Sequence, residues 1–441
     1  MPSKSFFWLK EIIGFVLWGV LSNSPLWAQA PADGLGYGYS NRVVPFRWAD
    51  NVPPNCPLAR SKALAGIEFT GRYKNYTNAD TWYPTWGSDD VLYSPWTDGY
   101  LLDLQKFAPF NDAHPGLACN SLDFMGRKAA TGQAAILGAD PMNLQVVPLG
   151  RQEASPAPYG GRYPCGSLMH NGVWYYGTYC LTNHPTNPCG GNGWTEMGPF
   201  VGFRTSTDLG KTWTEPPHTP EKPIFGENPQ RAKVKLGSPH FVDFGKNLAH
   251  SPDGYAYLVA HGATDPQSCN NWIQGDEIYL VRVKPSPENL NNPATYEYYA
   301  GADRAGKPRW SRDFGQLKPI LTWKDGLGCV TITYNAPLRK YLMCVTRGVV
   351  VARDRAGLVT DLRYDTMILE AASLTGEWRL VQYLDRFGPV AYFVNLPSKF
   401  ISADGRTLWL CYSANWHDKN MYSTPAGSHY SLSLHEIRLG R

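Results

Sequence analysis

A turn-then-strand pattern returns along this chain at a nearly constant interval, and few folds can accommodate it. It occurs as Ser88-Asp89-Asp90-Val91-Leu92-Tyr93, as His170-Asn171-Gly172-Val173-Trp174-Tyr175 and as Ser251-Pro252-Asp253-Gly254-Tyr255-Ala256-Tyr257. Asn335-Ala336-Pro337-Leu338-Arg339-Lys340-Tyr341 is a looser copy, and Ser402-Ala403-Asp404-Gly405-Arg406-Thr407-Leu408-Trp409 is the last. With Asp90, Asn171, Asp253, Asn335 and Asp404 as markers, the steps are 81, 82, 82 and 69 residues. Asn-Gly and Asp-Gly suit tight hairpins because they tolerate positive φ. Further hairpins follow downstream of the markers, for example Met367-Ile368-Leu369-Glu370-Ala371 turning through Thr375-Gly376 into Trp378-Arg379-Leu380-Val381. The final segment, Tyr430 to Ile437, alternates like a strand but has no following partner, and Ile67-Glu68-Phe69-Thr70 has no preceding one. Sandwich strands show no such long-range period. Five units of four strands with mutually completing ends predict an all-β, five-bladed β-propeller over residues 66–441. The N-terminal and C-terminal strands are expected to share one blade and so remove an exposed sheet edge.

Composition agrees. Gly 43 and Pro 36 in 441 residues are too many for a helical bundle. A net charge of +4 without a basic stripe leaves nucleic acid unexpected as a partner. Gly-rich phosphate loops ahead of helices are absent from the sequence, which argues against nucleotide chemistry. Lys4 and Lys10, the apolar run Ile12 to Leu21 and the small-x-small Ala28-Gln29-Ala30 predict a signal peptide over 1–30, followed by an N-terminal extension over 31–65. The expected product is secreted or periplasmic, monomeric and free of the membrane after cleavage. Cys56, Cys119, Cys165, Cys180, Cys189, Cys269, Cys329, Cys344 and Cys411 are odd in number, so a few disulfides plus buried thiols are expected, with pairing left open.

Ser206-Thr207-Asp208-Leu209-Gly210-Lys211-Thr212-Trp213 matches S-x-D-x-G-x-T-W. It resembles the Asp-box of sialidases and related propellers, a structural hairpin without catalytic residues. The five-unit rhythm over residues 66–439 resembles the arabinanase and levansucrase-like propellers, glycoside hydrolase family 43 among them, and secreted bacterial propellers of unknown function. That resemblance implies a catalytic Asp just before the first inner strand, where Ala79-Asp80-Thr81 stands with Thr in place of the family's Pro. The family's other two carboxylates have no counterpart in Tyr163-Pro164-Cys165-Gly166 or in Lys235-Leu236-Gly237-Ser238-Pro239-His240. Only Asp80 carries over.

Blade topology locates the chemistry independently. Loops from second to third strands, expected over 94–125, 180–200, 261–277, 346–366 and 413–429, emerge on the face opposite the short turns. Glycoside hydrolysis needs two carboxyl groups, one protonated and one ionised. Asp80 is the candidate base or nucleophile, Asp98 a residue that orients it, and Asp276 or Glu277 the acid; Glu227 ranks below them. Trp82, Trp96, Trp272 and Trp416 are candidate sugar platforms, and Lys235, His240, His261 and His417 candidate polar contacts. Arg204, Arg282 and Arg353 could form a carboxylate clamp or simply bridge blades. No cofactor is expected; a structural calcium on the axis is compatible with the ring, although no ligand cluster is readable. The leading reading is a secreted glycoside hydrolase acting on a polysaccharide or oligosaccharide. The alternatives are a non-catalytic carbohydrate-binding propeller and a scaffold for protein partners.

Overall fold

The structure is a computed structural model and describes residues 44–101, 118–123, 128–154, 161–182, 189, 194–388, 390–414 and 424–441. The predicted signal peptide falls outside these residues. Five antiparallel sheets follow one another along the chain. Blade I starts with the short segments Asn78–Asp80 and Thr85–Trp86, both paired to Leu92–Tyr100, and continues through Ala130–Leu137 to Gln145–Glu153. Blade II holds Gly161–His170, Val173–Thr182 and Glu196–Ser206. Blade III runs from His240–Phe241 through Ala256–Gly262 and Gly275–Val283 to Glu297–Ala302 and Pro308–Ser311. Blade IV comprises Val330–Asn335, Lys340–Arg353, Val359–Ala371 and Arg379–Leu384.

Blade V joins the two ends of the described chain. Tyr392–Asn395, Thr407–Ser413 and Ser433–Leu439 are completed by Ile67–Asn75, with Ile67 opposite Leu439 and Phe69 opposite Ile437. The expected sharing of one blade is therefore present. Ladder hydrogen bonds run within the blades and do not close the ring itself, which is held by blade-on-blade packing. First strands of neighbouring blades touch one another and so lie innermost. Asp90, Asn171, Asp253 and Asp404 fall in the turns between first and second strands, and Asn335 ends the first strand of blade IV.

Two expectations need correction. Four-stranded blades hold for IV and V, whereas blade II has three strands and a single bridge, Thr205 to Thr214, in the fourth position. Pro216 and Pro217 follow closely and have no amide hydrogen to extend that ladder. The stretch 346–366 is also not a loop. It is a long two-stranded ribbon, with Arg347 opposite Asp365 and Arg353 opposite Val359 around a tight turn at Asp354 to Gly357.

The turn before Thr214 is built around Asp208. Its carboxylate accepts from the amides of Lys211 at 3.1 Å and Thr212 at 2.9 Å and from the Thr212 hydroxyl at 2.6 Å. Trp213 packs edge-on against Trp174 and Tyr176 at 5.1 and 5.5 Å. Arg204 and Arg282 serve structure. Arg204 ties blade II to Thr131 and the Glu153 carbonyl of blade I and pairs with Glu215, while Arg282 pairs with Glu297 and Asp253. One disulfide, Cys189–Cys269, joins the long loops of blades II and III. Among the other cysteines, Cys56 is half-buried, and Cys119, Cys165, Cys180, Cys329, Cys344 and Cys411 are buried thiols.

Candidate functional site

Asp80 ends the first inner segment of blade I. The chain then turns sharply at Thr81, which adopts φ 65 although it is β-branched. Asp98 at φ 46, Val390 at φ 49 and Phe393 at φ 56 adopt the same left-handed region nearby. Such backbone is unfavourable for these residue types, so it survives only where surrounding contacts impose it, and it concentrates at functional sites. The Thr81 turn directs its own hydroxyl onto Asp80 Oδ1 at 2.7 Å. Tyr392, which opens the inner strand of blade V, donates its hydroxyl to Asp80 Oδ2 at 2.9 Å. The Tyr430 hydroxyl lies 3.2 Å from the same oxygen and 2.6 Å from the Asp98 carbonyl.

These contacts bear on where a proton resides. A phenol has one hydrogen and a carbonyl can only accept, so the shorter contact takes the Tyr430 hydrogen. The Tyr430 contact with Asp80 is the longer of the two. Burial, and secondarily the charge of Asp98, push the Asp80 carboxyl up to about 8 in spite of its hydroxyl partners. At neutral pH Asp80 is mostly an acid. Asp98 differs: it is half-buried, and its two oxygens accept from the amide and hydroxyl of Ser121 at 2.6 and 2.7 Å. Asp98 is the carboxylate whose charge acts most strongly on Asp80.

Aromatic side chains surround this pair. Trp272 packs edge-on against Tyr392 at 5.4 Å and Tyr364 at 5.5 Å, and its buried indole N–H has no hydrogen-bond partner among the described residues. Tyr163 and Tyr179, both buried, lie within the electrostatic reach of Asp80. Tyr83 packs against His240 with ring centroids 4.1 Å apart and the planes tilted by 38°. His240 and His261 are buried and uncharged at neutral pH. Burial first, then the neighbouring His261, lowers His240 to about 3, and burial lowers His261 to about 4. His240 therefore offers no positive charge to an anion, and His261 is bonded to the Asn271 carbonyl at 2.7 Å. Lys235 is half-buried, its ammonium 5.7 Å from the Tyr279 ring and 5.9 Å from that of Phe314.

Trp82 and Trp96 are not sugar platforms. They stack on one another at 6.3 Å and are 1% and 0% exposed, filling core shared with blade V. Gly132 lies opposite Trp96 because a Cβ there would come within 2.2 Å of the indole. Trp416 and His417 lie outside the described residues.

Asp276 and Glu277 start the third strand of blade III and point to opposite sides, as alternation requires. Asp276 is buried, accepts from the Ser268 hydroxyl, and accepts from the Asp325 amide at 2.7 Å. Glu277 accepts from Thr264 at 3.3 Å and from Tyr279 at 2.5 Å. Glu227 accepts from the amides of Lys235 and Leu236 at 2.7 and 2.9 Å, and burial pushes its carboxyl up to about 7. Asp276 thus belongs with Ser268 and Asp325, two residues that line a cavity of about 590 Å³. That cavity lies between the long loops of blades II and III and the ribbon of blade IV, on the face expected to carry function. Among the described residues, no group of three His, Cys, Asp or Glu side chains could hold a metal ion.

No protein-family profile and no curated protein matches this sequence. Solved structures do resemble it in fold. A GH43_1 enzyme from Xanthomonas citri complexed with xylotriose is 12% identical, covering 83% of this chain and 88% of its own, with a TM-score of 0.41. A protein of unknown function from Dyadobacter fermentans DSM 18053 is 11% identical over 85% of this chain and all of its own (100%), with a TM-score of 0.40. A glycosyl hydrolase from Bacteroides ovatus is 11% identical over 89% of this chain and 96% of its own, with a TM-score of 0.37. At these identities the likeness is one of fold.

Sequence reasoning selected Asp80 and Asp98 but missed Tyr392, Tyr430 and Arg347. Tyr392 had a readable signal, since it opens the inner strand of blade V as Asp80 closes the first inner segment of blade I. Tyr430 and Arg347 had none.

Proposed function

We propose that this chain is a propeller glycoside hydrolase acting on an oligosaccharide or polysaccharide, with Asp80 as its general acid and Asp98 as the ionised partner. The observation that carries this reading is the pair itself: two carboxyls in different environments, Asp80 buried among hydroxyls and Asp98 half-buried on the amide and hydroxyl of Ser121. Environments that push two carboxyls apart in this way are how glycosidases divide acid from base. The roles are exchanged relative to the sequence-based expectation, in which Asp80 was the base. Protonated Asp80 would give its proton to the glycosidic oxygen, while the Asp98 carboxylate would activate water or stabilise the cationic sugar. Export through residues 1–30, action as a monomer and independence of membranes complete the proposal.

A non-catalytic carbohydrate-binding propeller is favoured by one observation: both Asp80 oxygens are already engaged by hydroxyls. The two readings separate when the purified chain is incubated with a panel of neutral and acidic oligosaccharides and products are followed by NMR. Bond cleavage with a defined anomeric outcome supports hydrolysis. Saturable binding of the same sugars without cleavage establishes the binding module instead.

A further inference from the structure

Among the described residues Arg347 is a buried cation without an ion-pair partner, although the Asp325 carboxyl on the same cavity wall lies within its electrostatic reach. Its side chain lines the 590 Å³ cavity, the residue is 8% exposed, and Nε and Nη1 are buried without hydrogen-bond partners. No carboxylate among the described residues lies within ion-pair distance of it. The residue directly opposite on the neighbouring strand, Asp365, is already committed. It accepts from Tyr383 at 2.5 Å and the Arg386 amide at 2.9 Å, and pairs with Arg363 at 3.1 Å. Arg347 instead lies over the face of buried Trp323, 4.5 Å from the ring centroid, which fixes its plane. A guanidinium cannot shed its proton to escape burial, so leaving it unpaired is costly. A rigid, unpaired guanidinium at a cavity wall is a donor that attracts an anion.

The remaining wall fits this reading. Lys233 adds a second cation, held only loosely by Glu196 at 3.8 Å. Asp325 is the acidic group that an anion must avoid. Burial and the nearby Asp276 raise its pKa, while Lys324 and Arg347 pull it down. The cavity volume is in the range that small-molecule sites occupy. Gln274 lines the cavity beside Arg347, and the Gly348 amide is held by the Ile273 carbonyl at 2.8 Å. Ile273 follows Trp272, which packs on Tyr392 and so adjoins the Asp80 centre.

We infer that this cavity is a binding site for a sugar bearing a carboxylate, a hexuronate residue, with the carboxylate seated on the Arg347 guanidinium. That the ligand is a sugar rests on the reading above; that it is anionic rests on Arg347 alone.

Titration calorimetry on the full chain tests this with D-glucuronate and D-galacturonate, with glucose and galactose as neutral counterparts and inorganic sulfate as a bare anion. One or both uronates should bind more tightly than the neutral sugars and sulfate. Arg347→Met, which keeps an apolar stem of similar length, should fold and lose about ten- to hundredfold in uronate affinity while leaving neutral-sugar binding unchanged. Arg347→Lys keeps the charge without the planar fork and should fall between; it serves if the Met variant does not fold. Equal uronate affinity in parent and variants, no uronate binding by the parent, or neutral sugars binding as tightly as uronates overturns the inference. Sulfate binding as tightly as the uronates overturns it too and leaves only an inorganic-anion site. Turnover is not read, so a chain that binds uronate through Arg347 but never cleaves a glycoside would refute the hydrolase proposal and spare this one.

Discussion

Replacing Asp80 by Asn should remove a pH dependence from the stability of the whole domain. In the folded chain burial and the Asp98 charge raise this carboxyl from 3.8 to about 8. The folded state therefore holds a proton that the unfolded chain gives up. Stability from this group is complete below the unfolded value and is lost as pH rises through the folded one. Each pH unit in that window is worth about 1.4 kcal/mol, so at pH 7 the parent has lost up to roughly 4 kcal/mol relative to acid. The asparagine side chain of the variant stays neutral at every pH; its carbonyl can accept from Thr81 or Tyr392, and its amide can donate toward Tyr430. His240, His261 and His435, whose lowered values work in the opposite direction below about pH 6.5, are common to both proteins and cancel in the comparison. Urea unfolding of parent and Asp80→Asn at pH 5, 6, 7 and 8 measures the difference. It should shift in favour of the variant by about 1.4 kcal/mol per unit from pH 5 to 7 and level off above pH 8. A difference that stays flat across this range would mean that Asp80 ionises normally, and the argument from its environment would fail.

Three further outcomes follow from the packing. Trp213→Ala should destabilise by about 2 kcal/mol in urea unfolding, less than the ~3–5 kcal/mol of a fully buried ring, because Trp213 is only half-buried. Gly132→Ala should cost about 1–3 kcal/mol by forcing the Trp96 indole aside, measured as a lowered Tm; an unchanged Tm would show that Trp96 is loosely held. Cys269→Ser opens a link spanning 80 residues and should cost up to about 4 kcal/mol under non-reducing conditions, with dithiothreitol lowering the parent's Tm but not the variant's.

The ring was legible because its information is local. Asn171-Gly172, Asp253-Gly254 and Asp404-Gly405 each fix a hairpin through their own backbone preferences, and their spacing counts the blades. The ribbon from Arg347 to Asp365 was read as a loop because its distal part is exposed on both faces, so alternation is lost there. Trp82 and Trp96 were misassigned for a different reason. A tryptophan near a functional face and one filling the space between two sheets look alike until the packing is known. The candidate site was legible only where one strand end carried it. Asp80 could be found by position in its blade, but Tyr392 and Tyr430 reach it across 312 and 350 residues. Arg347 was unreadable because its significance is a missing partner, and its strand neighbour Asp365 would suggest a salt bridge that the fold gives to Arg363 instead.

Initial rates of reducing-end release by the parent and by Asp80→Asn, on whichever oligosaccharide of the panel the parent cleaves, with sugar affinity measured alongside, test the central claim most directly. If Asp80 is the acid of a propeller glycoside hydrolase, the variant should lose about 10²- to 10⁴-fold in kcat and keep the parent's affinity for the sugar. A variant that turns over as fast as the parent, or a parent that binds oligosaccharides and cleaves none, would contradict the account.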